Sequence, residues 1–338
     1  LLGNVVAGRI ANRLDLGGTN CVTDAACASS FSALSMAVNE LILGQSDLVI
    51  AGGCDTMNDI FMHMCFSKTP ALSPSGDCMP FSDRADGTLL GEGFGMVALK
   101  RLEDAQRDGD RIYAVVRGVG SSSDGRSKSV YAPRPEGQQK ALDRAYERAG
   151  YTPDSIEMVE AHGTGTKAGD AAEFGGLRLA FSAAERQDKQ WCAIGSVKSQ
   201  IGHTKAAAGA AGLLKAIFAL YHRIFPPTIK VDQPNPNLEI ESTPFYINTK
   251  ARPWIRGVTK MFGTTTIQSW RYGALRGTGL GFFAGAVESV FLTYSLKLPL
   301  SFAEFMLMGV INVLLMGAAA LALGVVTGVV HTFLSKTT

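Results

Sequence analysis

The sequence predicts an α/β fold, and three observations predict it. Between residues 22 and 247, short apolar runs alternate with amphipathic stretches and glycine-rich turns, as when strands are joined by helical crossovers. No period of 20–50 residues recurs, which sets aside solenoids and propellers. With 46% hydrophobic residues in a chain of 338, there is ample apolar material for a buried core or about two domains, and the chain is not disordered.

The elements follow in order. Over residues 28–43, Phe31, Leu34, Met36, Val38, Leu41 and Ile42 recur at roughly helical spacing, and Gly44 suits the left-handed position that ends a helix. Residues 48–51, 96–99 and 112–116 read as strands, and residues 136–149 as a charged, exposed helix ending at Gly150. A short strand at 158–159 runs toward His162, and another at 192–194 runs toward Lys198. Residues 206–225 read as a helix stopped by Pro226 and Pro227. In open α/β sheets, ligands bind beyond the carboxyl ends of strands, so the polar residues after these strands are the ones to weigh.

Charge and cysteine usage exclude several functions. Lys and Arg number 32 against 30 Asp and Glu, a net charge of +2 with no basic stripe, so a nucleic-acid partner is not expected. The six cysteines (21, 27, 54, 65, 78 and 192) include no C-x-x-C pair, which argues against zinc and disulfide frameworks and for a reducing compartment. Composition changes sharply after residue 257. Residues 258–338 hold only Lys260, Arg271, Arg276, Glu288, Lys297, Glu304 and Lys336 as charged side chains. Within them, 305–334 is long and apolar enough to cross a bilayer, and 279–296 is a weaker span with Glu288 near its middle. The expected division is therefore a folded region at 1–257, a junction at 258–278 and one or two transmembrane-type helices within 279–335, which would anchor the chain to a membrane. Leu1 follows no basic-then-apolar leader, so the sequence reads as a fragment.

Three residues carry candidate chemistry. Cys27 sits among small neighbours in Asp24-Ala25-Ala26-Cys27-Ala28-Ser29-Ser30, at the start of the predicted helix, where the positive end of the dipole would favour thiolate. The bland alternative is a small buried hydrophobe. His162 and His203 each lie in a loop after a strand, beside glycines that admit close backbone approach, and each alone reads more readily as a hydrogen-bonded structural residue than as a catalyst. One cysteine and two histidines after three strands form the inventory for thiolate catalysis with imidazole help. Lys198 reads either as a surface ion-pair partner or as a neighbour of the histidines. Glu160, Asp170 and Glu92 read as structural carboxylates. The sequence contains no G-x-S-x-G elbow, Walker A motif or H-E-x-x-H helix, which disfavours a serine hydrolase, a P-loop NTPase and a zincin, and Gly163-x-Gly165 has the wrong spacing for a dinucleotide loop, which leaves cofactor-free chemistry.

The motifs DAACASS around Cys27, EAHGTGT around His162 and GSVKSQIGH ending at His203, in that order and spacing, resemble those of a β-ketoacyl synthase. Pro80-Phe81-Ser82, Gly91-Glu92-Gly93 and Pro135-Glu136-Gly137-Gln138 are similar to ketosynthases of polyketide and polyunsaturated fatty acid synthases. The resemblance spans about residues 1–255 and implies a thiolase-like layered αβαβα fold, assembled as a homodimer. It implies that Cys27 takes an acyl group from an acyl carrier protein, and that a malonyl-type extender then loses carbon dioxide and attacks that thioester. It further implies that His162 and His203 stabilise the enolate and that Lys198 orients the catalytic histidine. No cofactor or metal is expected, since the substrates arrive on the carrier's phosphopantetheine. The nearest alternative is a membrane-tethered remnant that binds acyl carrier protein without turnover. A thiolase is disfavoured by the histidine pair.

The chain departs from the family pattern at both ends. A long segment would precede Leu1, and a Gly-Phe-Gly-Gly-Thr-Asn type loop would follow Trp254, where this chain reads Ile255-Arg256-Gly257. The junction fits a natural tethered variant or, favoured here, a joined or frame-shifted reading.

Overall fold

The computed structural model describes residues 3, 5–126 and 132–255. In chain order its elements are α1 (Val5–Leu14), α2 (Ser29–Ile42), β1 (Leu48–Asp55), α3 (Ile60–Lys68), β2 (Gly93–Lys100), α4 (Leu102–Arg107), α5 (Pro135–Ala149) and β3 (Met158–Glu160). They continue with α6 (Lys167–Phe181), β4 (Cys192–Gly195), α7 (Lys198–Ile201), α8 (Ala208–His222), β5 (Ile224–Phe225), β6 (Phe245–Ile247) and β7 (Arg252–Pro253). The described residues form one compact body, apart from Ala105–Arg111, which is grouped separately. That short piece closes as a turn in which Gly109 N–H donates to the Gln106 carbonyl.

Two sheets organise the body. β1 and β2 are antiparallel, from Leu48 opposite Lys100 to Asp55 opposite Gly93. β3, β4 and β6 are parallel with β4 in the middle, and its four residues are all buried, as expected of a short apolar strand with both faces covered. α8 touches α2, β1, β2 and β3, and so lies between the sheets. On the far side of the parallel sheet, α5 and α6 pack together. Phe174, Leu177 and Phe181 of α6 join Cys192, Ile194 and Phe245 of the sheet in one core. Phe181 and Phe245 have ring centroids 4.6 Å apart, and Phe245 is fully buried. Burial of each such ring is worth about 1.5–3 kcal/mol. The described layers therefore run sheet, helix, sheet, helix, in keeping with the alternation expected of a thiolase-like fold.

A glycine lets the two halves meet where the site forms. A Cβ on Gly53 of β1 would lie 2.7 Å from the Ala206 carbonyl oxygen and 2.9 Å from Ala207 Cα, so only glycine lets the strand pass this turn.

Two expectations are corrected. Residues 112–116 belong to no ladder among the described residues, because a short apolar run becomes a strand only when a partner backbone is present. The helix expected to reach residue 225 ends at His222, where Arg223 turns left-handed (φ 55°) and frees Ile224 and Phe225 to pair with β7. Pro226 and Pro227 follow the stop instead of causing it. The predicted junction at 258–278 and the apolar segment 279–335, with its membrane contact, lie outside the described residues. Among the described residues no helix is long and apolar enough to cross a membrane.

Candidate active site

Cys27 lies in a 3₁₀ turn, Ala26–Ala28, that runs directly into α2. The turn is strained: Ala26 has φ 51°, a left-handed conformation that costs a non-glycine residue roughly 1 kcal/mol or more. Three local hydrogen bonds hold it. The Asp24 carboxylate accepts from Ala26 N–H at 2.8 Å, and Ser29 Oγ accepts from Ala25 N–H at 2.9 Å while donating to the Ala26 carbonyl at 2.7 Å.

His162 follows β3 by two residues, and Glu173 of α6 fixes its loop. The Glu173 carboxylate accepts from His162 N–H at 2.6 Å and from Gly163 N–H at 2.7 Å. Gly163 is left-handed (φ 43°), and a Cβ there would lie 2.6 Å from that of Ser196. His203 follows α7 through Gly202. Its N–H donates to the Leu89 carbonyl at 2.7 Å and its carbonyl accepts from Gly91 N–H at 3.0 Å, which pins its backbone across the fold.

These loops bring the three predicted residues together. One donor atom each from Cys27, His162 and His203 lie within 4.8 Å of one another, and the two imidazoles meet edge to face with centroids 5.1 Å apart. Lys198, 3% exposed, joins them: its Nζ lies 3.3 Å from His162 Nδ1 and 2.5 Å from the His162 carbonyl oxygen. The surface ion-pair alternative does not describe it, since it is buried against a histidine.

The hydrogen-bond partners assign the tautomers. His203 Nδ1 accepts from Lys205 N–H at 3.0 Å, so the neutral ring carries its proton on Nε2. The Lys198 ammonium has only protons to offer, so His162 Nδ1 accepts and its Nε2 is likewise protonated. Both imidazoles are neutral near pH 7. Burial and then the Lys198 charge push His203 down to about 3, and the same causes hold His162 well below its usual range. The His162 side chain is also exposed at the surface, which tempers its desolvation but leaves the nearby ammonium in force. The site thus offers two neutral N–H donors beside a thiol.

One electrostatic expectation is corrected. The Cys27 thiol is raised, not lowered: burial outweighs the Lys198 cation, and Asp55 adds to the rise. Neutral imidazoles supply no positive charge to counter this.

Of the carboxylates that read as structural, Glu160 pairs with Lys215 at 2.8 Å and accepts from Val197 N–H at 2.6 Å, bracing the turn that carries Lys198. Asp170 accepts from Phe81 and Gly165 N–H, and Glu92 from Asn58 N–H. Sequence reasoning missed Glu173, although it lies three residues after Asp170, one helical turn along the same face.

A cysteine and two histidines gathered on a layered α/β body define the class, and comparison with known proteins narrows it. The family model described as beta-ketoacyl synthase, N-terminal domain, matches residues 2–105, and the one described as beta-ketoacyl synthase, C-terminal domain, matches residues 113–232. The chain belongs to the β-ketoacyl synthase family. It is 48% identical over 259 residues to one of the polyunsaturated fatty acid synthase subunits of a Thraustochytrium species, covering 75% of this chain and 9% of that protein. It is 41% identical over 251 residues to polyketide synthase PksL of Bacillus subtilis, covering 74% of this chain and 6% of that protein. Among solved structures, a ketosynthase from module 6 of the bacillaene synthase of Bacillus subtilis superposes with a TM-score of 0.73 at 39% identity, covering 76% of this chain and 46% of the other. An oxazolomycin ketosynthase domain of Streptomyces albus gives 0.72 at 36% identity, covering 74% and 45%. The fold is that of these ketosynthases. The chain spans under a tenth of the two synthases and under half of the two solved domains.

Proposed function

We propose that this chain catalyses the decarboxylative Claisen condensation of a β-ketoacyl-[acyl carrier protein] synthase, on Cys27, His162, His203 and Lys198. The observation that carries this reading is the convergence of the Cys27 thiol with two imidazoles whose Nδ1 atoms are both engaged elsewhere.

Cys27 Sγ attacks the carbonyl of an acyl thioester, the bond to the carrier's sulfur breaks, and the carrier thiol leaves with the proton that Cys27 gives up. A malonyl thioester then loses carbon dioxide. The electron pair of the broken carbon–carbon bond becomes an enolate whose oxygen takes hydrogen bonds from Nε2–H of His162 and His203. Such donors act where charge develops, and loss of one costs on the order of 10² to 10³ in turnover. The enolate carbon attacks the acyl-Cys27 carbonyl, Cys27 leaves as thiolate, and the product is a β-ketoacyl chain two carbons longer. Lys198 holds His162 in the donating tautomer, and its charge favours the enolate.

The substrates of this reading are acyl and malonyl-type thioesters on the phosphopantetheine of an acyl carrier protein, with no further cofactor. A homodimer is part of it, supported by α3, which buries no residue although Ile60, Phe61 and Met64 are apolar. A reducing, cytoplasmic setting is supported by the six cysteines, which form no disulfide among the described residues. Membrane attachment through 279–335 rests on hydropathy, and a chain ending near Gly257 that still partitions with membranes would count against it. The test of function is intact mass after incubation with an acyl carrier protein thioester. Wild type should gain the acyl mass and Cys27→Ala should not. A folded wild type that stays unmodified would leave the chain a ketosynthase by descent only.

A further inference from the structure

Behind the three candidate residues lies a buried ion pair with no role in the reaction as written. Lys205 is 5% exposed, and its Nζ lies 3.0 Å from Asp55 Oδ1, 2.5 Å from Asn58 Oδ1 and 2.9 Å from the Gly91 carbonyl oxygen. The other Asp55 oxygen accepts from Ala206 N–H at 3.3 Å. Asp55 ends β1, so the pair ties the turn after His203 to the far sheet. An ion pair of this kind adds little net stability, because desolvation offsets its attraction. Its location suggests another purpose. Lys205 has φ 48°, a conformation that favours glycine and persists in another residue only where the surroundings impose it. In that conformation its N–H meets His203 Nδ1 at 3.0 Å. One residue thus carries, on its side chain, an anchor in β1, and on its backbone the hydrogen bond that sets the His203 tautomer.

We propose that Asp55 and Lys205 form a positioning pair: the anchored ammonium holds the strained Lys205 backbone against His203 and keeps the His203 proton on Nε2. The catalytic consequence rests on the condensation reading above. Neither residue touches the reacting atoms; both act through His203.

The test uses the full chain labelled with ¹⁵N-histidine, with His203→Gln to assign the His203 signals. In wild type near pH 7, His203 should show a protonated Nε2 and a bare, hydrogen-bonded Nδ1. Removing both charges together, in Asp55→Asn with Lys205→Met, avoids stranding one of them. This variant should show Nδ1 and Nε2 signals shifted toward a mixture of tautomers. Its malonyl decarboxylation should fall about 10-fold or more, with Cys27 acylation within about twofold of wild type. Asn58→Ala, which removes one acceptor of Nζ, should shift the signals the same way by less, and it decides the matter if the double variant does not fold. Unmoved His203 signals overturn the proposal, as does a shifted tautomer with undiminished decarboxylation. If wild type shows the single tautomer and the variants lose it, but no chain acylates or decarboxylates, the condensation reading fails while the positioning pair stands.

Discussion

Lys198 Nζ sits 3.3 Å from His162 Nδ1 and 2.5 Å from the carbonyl oxygen of the same residue, so one buried ammonium grips both the ring and the backbone of that histidine. Burial lowers the Lys198 pKa from its ordinary value, and the carboxylate of Glu173 opposes that fall. Glu173 in turn holds the His162 and Gly163 amides. The lysine, the histidine and the glutamate therefore form one electrostatic unit.

Lys198→Met breaks that unit at its cation. The His162 pKa should rise, because the ammonium that helps hold it down is gone. Its Nδ1 loses its donor, so the proton is no longer held on Nε2. Malonyl decarboxylation should fall by about 10² to 10³. Lys198→Arg should not restore it, since a planar guanidinium does not fit a site built for a compact ammonium. Decarboxylation kinetics and the histidine ¹⁵N signals check both statements. Undiminished turnover would remove Lys198 from the mechanism.

The raised Cys27 thiol sets a pH dependence. A pKa above the ordinary value of 9.0, caused first by burial, leaves little thiolate at neutral pH. Alkylation by iodoacetamide should therefore climb about 10-fold per pH unit between about pH 6 and 8.5, with no plateau on the acid side. In Lys198→Met the whole profile should move to higher pH, because the cation that lowers this thiol is lost. A plateau beginning below about pH 7 would show a stabilised thiolate and refute the assignment of neutral histidines.

Much of this was legible from residue order, because some signals are local. The Gly44 and Gly150 helix ends, the apolar β4 and the placement of His162 just after β3 depend on chain neighbours alone. Other features depend on what a residue meets in space. Residues 112–116 form a strand-like apolar run yet lack a ladder partner among the described residues, and Arg223 ends α8 where Ile224 and Phe225 pair with β7. The Cys27 thiol could not be judged from its place before α2, since burial and Asp55, from another strand, outweigh the favourable local influences. In the sequence Lys205 is one more base before a helix, and only its contacts with Asp55, Asn58 and Gly91 mark it out.

The turn bearing Cys27 is held by Ser29, whose hydroxyl both accepts from Ala25 N–H and donates to the Ala26 carbonyl. Ser29→Ala removes both bonds from a left-handed turn and should cost about 1–3 kcal/mol, lowering Tm by a few degrees. Cys27 acylation should slow with it, because Sγ is no longer fixed against the imidazoles. Ala26→Gly relieves the backbone strain and should change Tm far less. Thermal unfolding and acylation rates would separate the two, and equal behaviour would show that the turn carries no strain worth holding.

The cluster has the composition of a zinc site, which makes its response to zinc informative. Tetrahedral zinc needs donors about 3.3–3.6 Å apart, and here they already lie within 4.8 Å. The tautomers oppose binding. A neutral imidazole that ligates through Nε2 must carry its proton on Nδ1, and both Nδ1 atoms are already accepting, one from Lys205 N–H and one from the Lys198 ammonium. The ammonium also repels the cation. Zinc at about 10 μM should therefore leave Cys27 alkylation unprotected in wild type. Lys198→Met removes one competing donor and one positive charge together, and it should bind zinc about 10-fold more tightly or better, read as protection of Cys27 and as cobalt absorption bands. Strong protection of the wild-type thiol by submicromolar zinc would mean that the histidines present lone pairs to the cluster instead of protons, and the two-donor stabilisation of an enolate would fall with that result.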